Sequence, residues 1–255
     1  MNRRDAHAGM SRADRPQKTA TLLARRIVRE IFEQKLDIGD PLESEREMLQ
    51  HYDVGRGTLR EALRHLELEG VLRIRPGRGG GPIVDAPSSR HLASTLALLL
   101  QFEGATFGSV LETRKHLEPL TARLAAERVT PELRRELEES VVRMDSLLGD
   151  ADAFLLENRA FHGCVAWGGR NPIVGFFINS LHWITDGSVL GAQYPTRFQK
   201  AINLAHRNIT EAIVAGDADG AWEAMGAHMD ETATYFKKKY PELVNRELTW
   251  DLVDK

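Results

Sequence analysis

Residues 41–84 read PLESEREMLQHYDVGRGTLREALRHLELEGVLRIRPGRGGGPIV, and this stretch decides the fold of the first part of the chain. The pattern predicts a helix opened by a capping box, then a turn, then a second helix over about 56–69. Two short strands, at 71–75 and 83–85, flank a glycine-rich loop. The stretch therefore predicts a helix-turn-helix followed by a β-wing.

The second helix of this stretch has two different faces. Arg56, Arg60 and Arg64 recur every four residues and therefore share one side. The opposite side carries apolar residues at core spacing, namely Leu59, Ala62, Leu63 and Leu66. For an isolated helix of this kind, a charged face exposed to solvent is the simpler interpretation. Because the turn and the wing accompany it, we predict that it enters the major groove of DNA.

Charge is divided unevenly along the 255-residue chain. Residues 1–90 hold 17 Lys and Arg against 14 Asp and Glu, whereas residues 91–255 hold 17 against 23. The basic front favours nucleic acid as its partner. No apolar run is long enough to predict a membrane span. The one cysteine, Cys164, cannot form an intrachain disulfide, so we expect it to pack in the interior of a cytoplasmic protein.

Helix signals and breaks predict a mostly α protein in five segments. Beyond residue 92 the periodicity is helical, and glycine, proline and capping residues divide it into about seven helices. An all-α bundle is therefore expected behind the winged helix-turn-helix. The predicted boundaries are a disordered arm at 1–17, a winged helix-turn-helix at 18–86, a linker at 87–91, the bundle at 92–240 and a C-terminal tail at 241–255.

Three histidines of the predicted bundle fall on inward helix faces. His162 lies four residues after Asn158, so both side chains point the same way. His206 shares an apolar row with isoleucines, and His228 lies beside two methionines. Imidazoles on three helices of one bundle can converge on a metal ion. The alternative is that each is a hydrogen-bonded core histidine, and the pattern alone leaves both open.

Residues 18–86 resemble the winged helix-turn-helix of the GntR family of bacterial transcription regulators. The motifs are S-E-R-E, V-x-R-x-T-L-R-E-A-L, L-x-x-E-G and P-G-R-G, in that order. The resemblance implies DNA contacts at Arg46, Arg56, Arg60 and Gly77. One departure is that Gly55 and Gly57 replace the Ser and Thr usual in the family and offer backbone N–H groups alone.

Two further residues of this segment are expected to touch DNA on physical grounds. Thr58 lies at the start of the second helix, where a hydroxyl can position the phosphate backbone. Arg78 lies in the glycine-rich wing loop and can reach a minor-groove edge or a phosphate. Arg56 and Arg60 are instead placed to contact base edges.

Residues 92–240 resemble FCD, the all-helical ligand-binding domain of the FadR subfamily. The motifs are E-T-R-x-x-L-E-P-L at 112–120, F-H and N-P at 161–172, and H-R-x-I-x-x-A-I-x-x-G-D at 206–217. A final H-M stands at 228–229. The resemblance implies a divalent metal and a pocket arginine, Arg114, that holds a carboxylate. The alternative for Arg114 is a helix-surface pair with Glu118.

The implied metal ligands are Asn158, His162, His206 and His228. Asn158 departs from the Asp usual in the family, which removes a negative charge and predicts weaker metal binding. Zinc or nickel suits three imidazoles best, with manganese less favoured.

Together these features predict a DNA-binding transcription regulator, a repressor, that is modulated by a small organic acid. It is expected to act as a homodimer on palindromic operator DNA. Two alternatives stand: a metal sensor without an organic effector, and a metalloenzyme built on the three histidines. The enzyme is disfavoured because no general base stands beside the ligands; Glu157 points about 100° away from Asn158 on the helix.

Overall fold

The computed structural model describes residues 14–77, 80–184 and 192–253. The chain divides into two compact units, Met1–His91 and Leu92–Lys255. Within the described residues, no helix is both long and apolar enough to cross a membrane.

The first unit is a winged helix-turn-helix, as predicted. Its elements are α1 (Asp14–Glu33), α2 (Glu45–Tyr52), α3 (Arg56–Leu68), β1 (Leu72–Arg75) and β2 (Gly81–Val84). The predicted capping box opens α2, because the Ser44 side chain and the Glu47 side chain each accept a hydrogen bond from the other's backbone N–H. Asp53, in the left-handed conformation at φ 51°, ends that helix.

The apolar faces of α1 and α3 form the core of this unit. Ile27 from α1 and Leu59 and Ala62 from α3 are each 1% exposed or less, so the predicted inner face of α3 is confirmed. The two strands pair antiparallel, with Leu72 opposite Val84 and Arg75 opposite Gly81. β1 ends at the predicted residue, and the other three strand ends lie one or two residues from the predicted positions, as is usual for short elements.

The second unit is an all-α bundle. Between residues 89 and 239 the described chain forms the predicted number of helices: α4 (Ser89–Phe102), α5 (Phe107–Glu127), α6 (Pro131–Ser146), α7 (Ala151–Gly168), α8 (Pro172–Ile184), α9 (Thr196–Val214) and α10 (Ala218–Lys239). Thr130, Asp150 and Asp217 cap three of them through their side chains. The mostly α fold predicted from the sequence is therefore confirmed.

The segment predicted as a C-terminal tail packs on the bundle instead. A short helix, α11 (Pro241–Val244), and a 3₁₀ turn, Trp250–Val253, follow α10. Leu243 and Leu248 are 9% and 1% exposed, and the Trp250 backbone N–H donates to the Gln101 side chain. Two widely spaced leucines show no helical period, so the sequence pattern does not reveal that their burial anchors the segment.

Two other boundaries differ from those predicted. Helix α1 begins at Asp14, inside the predicted arm, and residues 1–13 lie outside the described residues. Helix α4 begins at Ser89, inside the predicted linker. The shift at α4 agrees with its composition, since seven of the eleven residues from Leu92 to Phe102 are Ala or Leu, which propagate a helix readily.

Candidate functional sites

The exposed face of α3 carries the predicted arginine row. Arg56, Arg60 and Arg64 are all exposed, while the opposite face is buried. Arg60 Nε lies 3.4 Å from a carboxylate oxygen of Glu45 on α2, and Arg46 on α2 is exposed as well. An exposed pair of this kind contributes little stability, so Arg60 can exchange Glu45 for DNA at low cost.

The remaining predicted DNA contacts lie at the ends of this surface. Thr58 is half-buried in the first turn of α3, and Gly77 is exposed at φ 98°, a conformation that favours glycine. Arg78 lies outside the described residues. Gly55 is the N-cap of α3 and provides no side-chain cap, and a Cβ added to Gly55 or Gly57 would meet no atom within 4 Å. The first turn of α3 therefore presents bare backbone N–H groups.

The three predicted histidines do converge in the bundle. His162 on α7, His206 on α9 and His228 on α10 are 2%, 0% and 4% exposed. Nε2 of His228 lies 3.3 Å from Nε2 of His206 and 3.4 Å from Nε2 of His162. The same nitrogen of each ring thus points toward the same small region. Three core histidines with separate hydrogen-bond partners would have no reason to converge in this way.

In two of the three rings, those of His162 and His206, the opposite ring nitrogen has a partner that favours a proton on Nδ1. Nδ1 of His162 lies against a carboxylate oxygen of Glu118, and Nδ1 of His206 lies 3.2 Å from the Met144 sulfur. The Glu118 contact is at ion-pair distance but is not aligned as a hydrogen bond, so its effect is electrostatic. A proton on Nδ1 leaves Nε2 as an unprotonated donor atom for a metal.

Glu118 is the buried charge at the centre of this region. Its Oε1 accepts from Nε of Arg114 at 2.5 Å and lies 3.3 Å from Nε2 of His182, while Oε2 meets His162. Burial alone would raise the pKa of this carboxyl, but the positive charge of Arg114, followed by the polar rings of His162 and His182, outweighs burial and holds the pKa well below its ordinary value. Glu118 is therefore ionised.

Three imidazoles of this region, those of His182, His206 and His228, are held neutral. Burial, and next the charge of Arg114, lowers the pKa of His182 to about 3. Burial, and next its neighbour His162, lowers the pKa of His228 to about 3. Burial and the two facing rings lower the pKa of His206 well below its ordinary value. Neutral imidazole is the form that binds a metal.

A small cavity of about 40 Å³ opens beside the histidines, with room for roughly three water molecules. Its lining includes Arg114, Asn158, His162, His182, His228 and Thr232. Both Arg114 and Asn158 thus face the cavity. Arg114 also pairs with Glu118, which was the alternative interpretation of this arginine. The pair is buried rather than on the helix surface, because Arg114 is 7% exposed and Glu118 is 1% exposed.

The residues present fit a metal ion. Around a tetrahedral ion with metal–nitrogen distances of ~2.0–2.1 Å, neighbouring nitrogens lie ~3.3–3.4 Å apart. The distances from Nε2 of His228 to Nε2 of His206 and of His162 match this spacing, and all three ligand atoms lie within 4.8 Å of one another. Without a cation, the central nitrogen of His228 cannot satisfy both neighbours. If Nε2 of His228 carries a proton, that one proton must be shared between the Nε2 atoms of His162 and His206. If Nε2 of His228 carries no proton, its lone pair faces the lone pair of His162 Nε2.

Sequence reasoning missed two members of this region, Glu118 and His182. Glu118 was visible four residues after Arg114, but the spacing fits a surface pair equally well. His182 lies in α8, a helix without Asp, Glu, Lys or Arg. An imidazole in such an apolar helix indicates that the ring is buried, but it does not indicate which side chain the ring contacts. The described His and carboxylate side chains form two groups with metal-ligand spacing: His162, His206 and His228, and Glu118, His162 and His182.

Comparison with known families matches both units. The model for bacterial regulatory proteins of the gntR family matches residues 19–80, and the FCD domain model matches residues 109–231. The putative L-lactate dehydrogenase operon regulatory protein of Escherichia coli (strain K12) is 30% identical over 232 residues, which cover 88% of each chain.

The chain belongs to the GntR family of bacterial regulatory proteins, and its FCD domain makes it a FadR-type member. It resembles the HTH-type transcriptional repressor NanR of Cronobacter sakazakii (strain ATCC BAA-894), at 27% identity over 82% of this chain and 85% of that one. The solved structure of Streptococcus agalactiae GntR superposes with a TM-score of 0.69 at 26% identity, covering 85% of this chain and 99% of that one.

Membership decides between the function classes left open by the sequence. These relatives are named as regulators of transcription, and the protein is a DNA-binding transcription regulator rather than an enzyme. Family members bind operator DNA, which agrees with the exposed arginine row on α3.

We expect Arg56→Ala and Arg60→Ala to abolish the preference for operator over random DNA, because each arginine is placed to contact a base edge. One bidentate contact to guanine contributes ~1–3 kcal/mol of discrimination. Arg46→Ala should instead weaken binding to both DNAs and lower the slope of log affinity against log salt by ~0.9. Competition binding measured by fluorescence anisotropy checks both expectations, with the exposed bundle residue Arg135→Ala as the control. Wild-type discrimination by Arg60→Ala would contradict the assignment.

Acid should destabilise the metal-free bundle. In the unfolded chain the histidines protonate near their ordinary pKa of about 6.5, whereas His182 and His228 stay neutral in the folded chain until about pH 3. Stability is therefore complete above pH 6.5 and falls as the pH drops toward 3, because the unfolded state binds more protons.

Thermal unfolding of chelator-treated protein between pH 7.5 and 4.5 measures this dependence. His228→Gln should make it shallower, whereas His116→Gln, which changes an exposed ring, should leave it unchanged. Equal slopes for wild type and His228→Gln would show that His228 is not held neutral by burial.

Proposed function

We propose that this protein is a cytoplasmic repressor that binds palindromic operator DNA as a homodimer and releases it when a small organic acid enters a metal-containing pocket. The observation that carries the proposal is the convergence of three buried imidazoles beside a cavity that Arg114 also lines. A metal and a guanidinium at one small cavity are suited to a carboxylate ligand.

Asn158, His162, His206 and His228 would hold the metal, with zinc or nickel favoured and manganese less so. When bound, the ion supplies a Lewis-acidic centre to which a carboxylate or hydroxyl oxygen can bind. The cavity walls exclude most water, so this interaction is stronger than it would be in solution.

The charge balance of the region supports an anionic effector. Glu118 and Arg114 neutralise one another, burial holds His182, His206 and His228 uncharged, and an imidazole that binds a metal is neutral. A divalent ion would leave the site with a net charge of about +2, which an organic acid can reduce. The Arg114–Glu118 contact uses Nε, so the two terminal nitrogens of the guanidinium can form a fork with a carboxylate.

The size and chemistry of the site favour a short 2-hydroxy acid. A cavity of about 40 Å³ suits a ligand of few atoms, and neighbouring carboxylate and hydroxyl oxygens can chelate one ion. The relative from Escherichia coli is named for an L-lactate dehydrogenase operon, and L-lactate is an acid of this class.

Regulation would follow from a shift between two arrangements of the dimer. Two copies of α3 must be held at a fixed spacing to occupy both halves of a palindrome. An effector that binds one arrangement of the bundle more tightly favours that arrangement and changes the spacing. The binding free energy for the operator then weakens by the difference between the effector's binding free energies for the two arrangements.

The small cavity also favours a second candidate, a metal sensor without an organic effector. A bound ion and its remaining water ligands would fill about 40 Å³. In that case the metal alone changes operator affinity and no acid adds to its effect.

Purified, tag-free protein should contain close to one zinc or nickel ion per chain by elemental mass spectrometry. His206→Ala should lose the ion, because it removes one of three converging nitrogens. Asn158→Asp should bind zinc at least about tenfold more tightly, because it restores a negative charge beside the cation. The exposed His116→Ala is the matched control. An ion retained in full by His206→Ala would place the metal elsewhere.

Addition of L-lactate or another 2-hydroxy acid should release zinc-loaded protein from an operator selected out of random-sequence DNA. Arg114→Lys keeps the charge beside Glu118 but loses the planar fork, so it should bind the operator normally and respond at least about tenfold more weakly to the acid. Fluorescence anisotropy with labelled operator measures both. If metal alters operator affinity and no acid does, the metal-sensor candidate is correct instead.

A further inference from the structure

His182 is a fourth buried imidazole that the proposed function does not use. It lies on α8 and is 4% exposed, with its ring centroid 4.8 Å from that of His162. Burying a polar ring without a partner costs roughly 1–3 kcal/mol. Its Nε2 lies 3.3 Å from Oε1 of Glu118, at ion-pair distance but not aligned as a hydrogen bond, so the electrostatic attraction of the Glu118 charge is the contact that offsets this cost.

The Glu118 carboxylate is shared among three nitrogens. Nε of Arg114 and Nε2 of His182 meet Oε1, and Nδ1 of His162 meets Oε2. An effector carboxylate drawn to Arg114 would compete with Glu118 for the guanidinium. His182 is then the group that still fixes Oε1, and with it the orientation of the whole carboxylate.

We propose that His182 is a positioning residue, which holds Glu118 so that its second oxygen keeps the proton of His162 on Nδ1 and leaves Nε2 free. The metal half of this inference rests on the proposed function. Partners one step beyond a metal ligand set its tautomer and ring orientation in the same way.

Two other roles for His182 fit the contacts less well. A second cation between Glu118, His162 and His182 has the required donors, but Arg114 lies 2.5 Å from the same carboxylate and its charge repels a cation. Simple core packing explains the burial but not the approach of a ring nitrogen to a carboxylate oxygen.

The first test is metal affinity. His182→Phe keeps an aromatic ring and removes the nitrogen, so zinc should bind about 10- to 100-fold more weakly. His182→Gln, whose amide nitrogen can replace Nε2, should restore most of the affinity. The matched control is Ser180→Ala on the same helix, because the buried Ser180 hydroxyl donates only to the Phe177 carbonyl of its own helix. Equal zinc affinities for wild type, His182→Phe and Ser180→Ala would overturn the proposal.

The second test needs no metal and separates this inference from the proposed function. Imidazole nitrogen NMR of chelator-treated protein reports which nitrogen of His162 carries the proton. We expect Nδ1 in the wild type and in Ser180→Ala, and a mixture of both tautomers in His182→Phe. An unchanged tautomer in His182→Phe would overturn the proposal, and would do so even if zinc binds. If the tautomer shifts but the wild type binds no zinc or nickel, His182 still positions Glu118 and the metal proposal fails.

Discussion

The buried carboxylate of Glu118 is the constraint on which the rest of the candidate effector site depends. Moving a carboxylate out of water costs several kcal/mol, which partners must offset. Arg114 supplies the opposite charge, and His162 and His182 approach the remaining positions. The same contacts aim Arg114 along the cavity wall and orient His162. One ionised group thus links the proposed anchor for an acid to the proposed ligand for a metal.

Both units of the protein use helices with two chemically different faces. In the first unit, α3 buries leucines against α1 and presents arginines on the other side. In the bundle, helices α7, α9 and α10 each turn an imidazole inward among apolar side chains. The first arrangement makes a surface that suits the phosphates and bases of DNA. The second makes a buried cluster of imidazoles whose facing nitrogens require a cation or a shared proton between them.

The fold and the histidine cluster followed from the helical period, because inward positions on three amphipathic helices of one bundle must face one interior. Glu118 was not predicted, since the i, i+4 spacing from Arg114 is the same in a solvated pair and in a buried one. The location of His182 depends on how α8 packs against α7, which no local pattern encodes. The burial of Leu248 likewise depends on contacts between distant parts of the chain.

X-ray absorption spectroscopy of the zinc-loaded protein tests whether His162, His206 and His228 bind a metal, because it reports the ligands of the ion itself. We expect a shell of nitrogen and oxygen at ~2.0–2.1 Å, with the multiple scattering of three imidazole rings. That ring scattering should decrease in His206→Ala. A shell of oxygen alone, or ring scattering that His206→Ala leaves unchanged, would show that His162, His206 and His228 do not form a metal site.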